Sequence, residues 1–420
     1  MNGQVSGQPG GRAGDRRDLL ILGGGLVGMT LALAAARRGI TSHVVDKALP
    51  EALTAEGTDG RASAISTASW NLLTNIGLAD RLEPLGCPIE SIAVTDGMKP
   101  GRIDFKPLPE QGTLGRMFAN RDIRLALFEA ARAEPAIAWS SGVEPVARQR
   151  GEHGVSVTLD DGRVLAASLL VGAEGRGSPT RAEAGLNSAR WDYRHRAFVA
   201  GITHARPHGG IAWEIFYPAG PLALLPLLDT PGGQHRSAVV WTVDERDAAG
   251  IAGLSDAAFL SEISTRMEGI FGAIELSAPR MSWPLNFHHA ARITGQRLVL
   301  VGDAAHGMHP IAGQGLNLGL RDVGCLVEVL ADGLRLGLDP GDAQLLARYE
   351  RWRSLDATSV MAATDALVRV FGVPGKLPSL VRRLGMSAVQ RSGWMKRFFM
   401  DEARGMSGQL PALLQAQQGA

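Results

Sequence analysis

The chain is short of cysteine, of net charge and of long apolar runs, and each shortage removes a class of protein. Cys87 and Cys325 are the only cysteines among 420 residues, and neither has a CxxC neighbour. That usage excludes a disulfide scaffold or a cysteine-rich zinc site and fits a reducing compartment. The 43 basic and 42 acidic side chains leave a net charge of +1. A nucleic-acid binder would carry a basic excess gathered on one face, so nucleic acid is not an expected partner. No stretch of 18 apolar residues occurs, so no transmembrane helix is expected. Residues 1–17 are Gly-rich and polar, without the apolar core of a signal peptide, and read as a disordered leader. Repeats of fixed period are missing, and so is a GxSxG hydrolase elbow. His306 and His309 form an HxxH, and His288 and His289 are adjacent, but no further ligands stand at suitable spacing, so no metal site is read. The expected location is cytoplasmic.

Glycine, by contrast, is placed with purpose. The run LLILGGGLVGMTLALAAARRGITSHVVDK covers residues 19–47. It reads as a strand over Leu19 to Leu22, a GxGxxG formed by Gly23, Gly25 and Gly28, an Ala/Leu-rich helix, and a second strand from His43 to Val45. Asp46 closes the second strand, 18 residues after Gly28. The first glycine permits a tight turn, the second lets backbone approach a pyrophosphate, and the third lets helix pack on strand. The helix N-terminus attracts phosphate charge, and the terminal aspartate accepts hydrogen bonds from a ribose. This pattern points to a dinucleotide but does not choose between NAD and FAD.

Two further strand ends carry an acid. LLVGAEGRGSPTR, residues 169–181, runs from an apolar strand into Gly172 and Glu174. VLVGDAAHGMHPIAGQGLNLGLRD, residues 299–322, runs into Gly302 and Asp303. A second carboxylate remote from the first dinucleotide unit suggests an extended ligand with more than one polyol, which favours FAD over NAD. Asp303 is then placed to hold the ribityl hydroxyls. The loop His309 to Gly315, with Pro310 and Gly313, would bring bare amides against the flavin ring, since a Cβ there would block the approach. A helix beginning near Leu316 would aim its positive end at the ring's N1/C2=O edge, which becomes anionic on reduction. Arg61, in TDGRASAIST, would pair with a phosphate if half-buried; taken alone, an ordinary surface arginine is the stronger reading.

At these residues the chain resembles the FAD-dependent aromatic hydroxylases that have a single Rossmann-type FAD domain. Within them it looks most like the ubiquinone-biosynthesis hydroxylases, on DGRASAIS, FYPAGPLALLPL, WPLNFHHAARI, HPIAGQGLNLGLRDV and MKRFFMDEARGMSG. The resemblance places Gly23, Gly25, Gly28, Asp46, Arg61 and Asp303, with Gly302, Pro310, Gly313 and Gly315 of the same segments, on FAD-contacting positions, and Arg124 near the pyrophosphate. One departure is that Glu174 stands where the family has aspartate. No second GxGxxG is present, so NAD(P)H is expected to bind transiently, as in the family.

Residues 190–245 alternate apolar and polar between Pro/Gly turns and read as an antiparallel sheet. Trp213, Phe216, Tyr217 and Leu224 are pocket candidates there, with plain sheet core an equal reading. After residue 340 the pattern turns helical. VRRLGMSAVQRSGWMKRFFMDEARG has six basic and two acidic residues plus Trp394, Phe398 and Phe399. Such a segment suits either a packing helix or a membrane surface.

The expected fold is α/β: a Rossmann-like FAD-binding domain over 18–84, 116–189 and 284–340, a β-sheet substrate domain over 85–115 and 190–283, and a C-terminal helical region over 341–420. By resemblance the reaction is ring hydroxylation of a polyprenylated phenol with O₂ and NAD(P)H through a flavin C4a-hydroperoxide. The cofactor carries the chemistry, so no catalytic side chain is assigned. Other ubiquinone-biosynthesis proteins and peripheral contact at the inner membrane surface are the implied partners. A hydroxylase of a small soluble phenol, an FAD-dependent dehydrogenase or reductase, and a non-catalytic flavin-fold scaffold stay open.

Overall fold

The computed structural model describes residues 16–55, 60–98, 102–307, 313–372, 390 and 392–416. The apolar run at the start becomes the strand Arg17–Leu22, paired in parallel with Ser42–Asp46 on one side and Val164–Gly172 on the other. Between the first two strands lies the helix Leu26–Ala36. Its LVGMTLALAAA sequence is apolar all round because it is buried against the sheet and other helices. The sheet has eight strands, and its main path ends in Leu298–Leu300 and Thr294–Gly295 at one edge and Ile137–Ser141 at the other. The helix Gln314–Arg335 packs beside Leu26–Ala36, close enough that a Cβ on Gly319 would stand 2.8 Å from Val27.

A second sheet has nine strands and is mostly antiparallel, as alternation predicts. Its members include Ser188–His204, His235–Asp244, Leu222–Leu227 and Ile211–Phe216, and it continues into Ser91–Asp96 and Ile103–Phe105. Ala62–Ser66, Gly115–Ala119 and Cys87–Ile89 form a separate three-stranded sheet.

Among the described residues three main apolar layers result, beside a small cluster around Phe287 and Leu318. The largest joins the eight-stranded sheet to its helices through side chains such as Leu20, Met29 and Leu326. The second lies between one face of the nine-stranded sheet and the helix Asp256–Arg266, around Trp241, Phe259 and Ile263. The third lies between the opposite face and the three-stranded sheet, around Ile89, Met117 and Ala212. Each fully buried aliphatic side chain contributes about 1.5–3 kcal/mol, so the first layer dominates stability. The third is thin, and its partly exposed members outnumber its buried ones.

One segment links the two large sheets. After Leu298–Leu300 the chain makes a 3-10 turn at Gly302–Ala304, then pairs His306–Gly307 with Met281–Ala290 of the nine-stranded sheet. Among the described residues no helix is long and apolar enough to cross a membrane.

Candidate active site

Leu22 is in register with Gly172, and Gly172 with Leu300. The residues that follow these strands therefore emerge side by side at the carboxyl edge of a parallel sheet, where such sheets bind ligands. Gly23 has φ +105°, and a Cβ on it would lie 2.4 Å from the Ala173 carbonyl oxygen. A Cβ on Gly28 would lie 1.9 Å from the Gly23 oxygen. Close packing thus explains both glycines. Gly25 differs: its φ is −73°, and nothing lies within 4 Å of where its Cβ would be. Neither strain nor packing requires glycine there, and Gly25 is the N-cap of Leu26–Ala36 without a side-chain cap, at a helix start whose first backbone N–H groups lack intrahelical partners. Asp46 stands beside this turn, its carboxylate accepting from the N–H groups of Gly24 (2.6 Å) and Ala48 (2.7 Å).

The third strand end is held from several directions. Gly302 takes φ +59°, which turns Asp303 outward. The Asp303 carboxylate accepts from Arg176 Nε at 3.0 Å, and both side chains stay well exposed. Behind them the buried Arg181 donates to the carbonyl oxygens of Ala304 (2.7 Å) and Arg176 (2.6 Å). His288 Nε2 donates to the Asp303 carbonyl oxygen at 2.7 Å, and burial pushes its pKa down to about 4. Asp322, fully buried on Gln314–Arg335, accepts from Gly302 N (2.8 Å), His306 Nε2 (2.8 Å) and Arg353 Nε (2.6 Å). Burial raises the Asp322 carboxyl, yet His306 and Arg353 outweigh it and hold the group below the usual carboxylate range. His306 is therefore bound into the framework through Asp322.

Gly313 caps Gln314–Arg335 in the left-handed region at φ +61°, so the helix starts at Gln314 rather than near Leu316. Asn317 ties this start to the strand Ala62–Ser66 by accepting from Ser66 N (2.9 Å) and donating to the Ala64 oxygen (2.8 Å). Gly315, like Gly25, has nothing within 4 Å of its Cβ position. Pro310 and His309 lie outside the described residues.

Arg61 is exposed, not half-buried, because it sits at the outer end of Ala62–Ser66; its guanidinium lies over Trp283, 5.6 Å from the ring centroid. Its carbonyl accepts from Asn120 N at 3.0 Å, at the start of the helix Asn120–Arg132 that carries the buried Arg124. Glu174 departs from the polyol role. Its carboxylate accepts from Ser178 Oγ (2.5 Å) and Thr180 Oγ1 (2.6 Å) and faces Arg148, so it closes the start of the short helix Pro179–Glu183. Trp213 and Leu224 are not pocket residues either: strand alternation turns them into the second apolar layer, which also takes Tyr217 at its margin. Phe216, one position out of phase with Ile215, points to the other face.

Sequence reasoning missed Asp322, Arg353 and Arg181. The available signal was a charged pair, Arg321–Asp322, on the apolar side of a helix, where an acid needs a partner to be buried.

The parallel sheet edge, the glycine turn and the open backbone at Gly25 and Gly315 define a dinucleotide-binding flavoprotein fold, and these residues fit FAD. The model of the FAD binding domain family matches residues 16–364, and the chain belongs to that family: it is an FAD-dependent monooxygenase. Within it, the chain is 44% identical to the ubiquinone hydroxylase UbiL of Rhodospirillum rubrum, covering 94% of this chain and 91% of that protein. It is 31% identical to the 3-demethoxyubiquinol 3-hydroxylase of Escherichia coli, over 93% and 98% of the two chains. The crystal structure of p-nitrophenol 4-monooxygenase PnpA from Pseudomonas putida shares the fold at TM-score 0.77 and 17% identity, covering 94% of this chain and 99% of that one.

Proposed function

We propose that the protein hydroxylates the aromatic ring of a polyprenylated phenol in ubiquinone biosynthesis, consuming O₂ and NAD(P)H. The observation that carries this reading is the 44% identity, sustained over nearly the whole length, to a ubiquinone hydroxylase. The balance is phenol, O₂, NAD(P)H and a proton giving hydroxyphenol, NAD(P)⁺ and water. FAD, when bound, would supply the redox chemistry of hydride acceptance and oxygen transfer.

The chain's own residues bind, orient and exclude water. Gly25 would let the pyrophosphate approach the helix N-terminus, with Gly23 and Gly28 packing the turn that presents it and Arg124 near the phosphates, and Asp46 would take the adenosine ribose. Asp303, presented by Gly302, would hold the ribityl chain, with Arg61 proposed as a phosphate contact. Gly313 and Gly315 would bring backbone to the ring. These segments form the FAD-binding part, and the nine-stranded sheet roofs the substrate. The thin third layer suits an apolar ligand, since its inward-facing side chains retain access. The helix Gly393–Ala403 presents Trp394 and Phe398 outward, 68% and 55% exposed, beside the exposed Arg397, which supports peripheral contact with a membrane that holds the substrate. Other proteins of the same biosynthetic route are the natural partners at that surface.

The test is NAD(P)H oxidation by the yellow, FAD-loaded protein with and without a farnesylated phenol, followed by product analysis. Substrate-stimulated oxidation with one oxygen atom from ¹⁸O₂ in the ring is the expected result. Oxidation that proceeds equally without O₂, through an added acceptor, would show a dehydrogenase instead.

A further inference from the structure

On the strand Ile211–Phe216, residues alternate between two layers: Trp213 and Ile215 enter the second, and Ala212 enters the third. Glu214 shares the face of Ala212. It is paired with Val94 on one side and Ala223 on the other, so its cross-strand neighbours are apolar. Among the described residues neither a hydrogen-bond donor nor a cation reaches its carboxylate, and the side chain keeps partial access. Across the layer stand Ala62 and Ala64. Ala64 also lies against Gly313, where a Cβ would come within 3.2 Å of its own. An acid without a partner thus stands on the face of the apolar layer one of whose members, Ala64, borders the start of Gln314–Arg335.

A lone carboxyl on an apolar strand face is costly to the fold and contributes no contact in return. We propose that Glu214 is a catalytic residue that accepts the proton of the substrate's phenol hydroxyl as the ring is attacked. The O–H bond breaks, the proton moves to a Glu214 carboxylate oxygen, and the electron pair stays on the phenol oxygen, enriching the ring carbons ortho and para to it. On rearomatisation the hydroxylated carbon loses its proton to solvent and Glu214 returns its own to the ring oxygen, so that both the phenol hydroxyl and the carboxylate are regenerated. This deepens the proposed function and rests on it.

Burial alone pushes the Glu214 carboxyl up to about 8. The titratable groups on the same side among the described residues are Asp96, opposite Phe216 on Ser91–Asp96, Arg236, opposite Leu227, and the Cys87 thiol, itself pushed up to about 11 by burial and by Asp229 and Glu90 against Arg236. None of them contributes to the shift of Glu214. A base poised near the working pH is suited to a phenol, and such bases contribute about 10²–10⁴-fold.

The experiment compares the FAD-loaded wild type with Glu214→Gln and Glu214→Asp, using a farnesylated phenol between pH 6 and 9.5. The expected wild-type kcat for product rises with pH about a midpoint near 8. Glu214→Gln is expected to keep its FAD and Tm, to lose the pH rise, and to form product about 100-fold more slowly, with its electrons diverted to hydrogen peroxide. Glu214→Asp should recover part of the rate and the pH dependence. Equal product and an unchanged pH profile in Glu214→Gln would overturn the role of Glu214 alone. Failure of the phenol to stimulate wild-type oxidation would overturn the proposed function, and this inference with it.

Discussion

Asp303 stands at the open edge of the parallel sheet with one ion-pair partner, Arg176, and most of its lone pairs facing outward. An exposed pair of this kind adds about 0–1 kcal/mol to stability, and Arg176 would keep its bond to the Asn286 carbonyl if the pair were lost. Removing the carboxylate therefore should leave the fold intact while deleting the charged acceptor proposed for the ribityl hydroxyls. Such hydrogen bonds are worth about 1.5–3 kcal/mol. Asp303→Ala is expected to weaken FAD retention about 10- to 100-fold at an unchanged denaturation midpoint of the FAD-free protein; flavin titration followed by fluorescence measures it, and wild-type affinity would sink the assignment. The contrast with Glu174 shows what sequence can reveal at this scale. Both acids follow an apolar strand and a glycine, and that pattern places each at a strand end. It does not say where the carboxylate points. One extra methylene and two hydroxyls, at Ser178 and Thr180, are enough to fold Glu174 back onto its own loop.

Between elements, Asp322 is the joint. Its two oxygens hold the turn at Gly302, the ring of His306 and the guanidinium of Arg353, so the helix Gln314–Arg335, the strand-end turn and the helix Ala343–Gly372 meet on one carboxylate. Arg353 also pairs with Asp356, and Arg321 with Asp356, which makes the cluster nearly neutral in sum. Breaking a buried pair by removing one charge costs about 3–5 kcal/mol. Asp322→Asn keeps the shape and loses the charge, so its urea midpoint should fall by the equivalent of that range. A second effect follows from geometry: an amide facing Gly302 N can present only one acceptor oxygen to three donors. The Asp303 turn should loosen and FAD should dissociate faster than from wild type at the same urea-free condition. A midpoint within experimental error of wild type would show that the cluster is dispensable. The sequence displayed the helix plainly through its glycines and apolar periodicity. The joint was hidden because its other members, Arg353 and His306, lie 31 and 16 residues away.

At the scale of the whole molecule, parallel and antiparallel sheets announce themselves differently. The glycine turns and continuous apolar runs Leu19–Leu22, Leu169–Val171 and Leu298–Leu300 mark strands buried on both faces, and they pair as parallel neighbours. The alternating stretch from residue 190 marks a sheet with two unlike faces. Alternation alone cannot say which face meets which layer, and so pocket and plain core stood level for Trp213 and Leu224, which the fold resolves as core, while Glu214 went unnoticed. The C-terminal helix Gly393–Ala403 carries the same ambiguity to the surface. Met400 enters the third layer and Phe399 meets Phe105 at 6.1 Å, while Trp394 and Phe398 stay outside. One element thus covers the apolar space on one side and offers aromatic and basic groups on the other, which is the arrangement a long-tailed lipid substrate would need to pass from bilayer to site. Burying these two rings in a bilayer, at about 25 cal/mol per Å², would make them the chief apolar anchor of the proposed contact. Trp394→Ser with Phe398→Ser is expected to lower partition onto phosphatidylethanolamine–phosphatidylglycerol vesicles about tenfold or more, with FAD content unchanged because neither ring touches the cofactor-side residues. Sedimentation of protein with vesicles measures it. If the double variant binds as wild type does, the outward face of this helix is not the membrane contact, and the substrate must reach the third layer by another edge of the nine-stranded sheet.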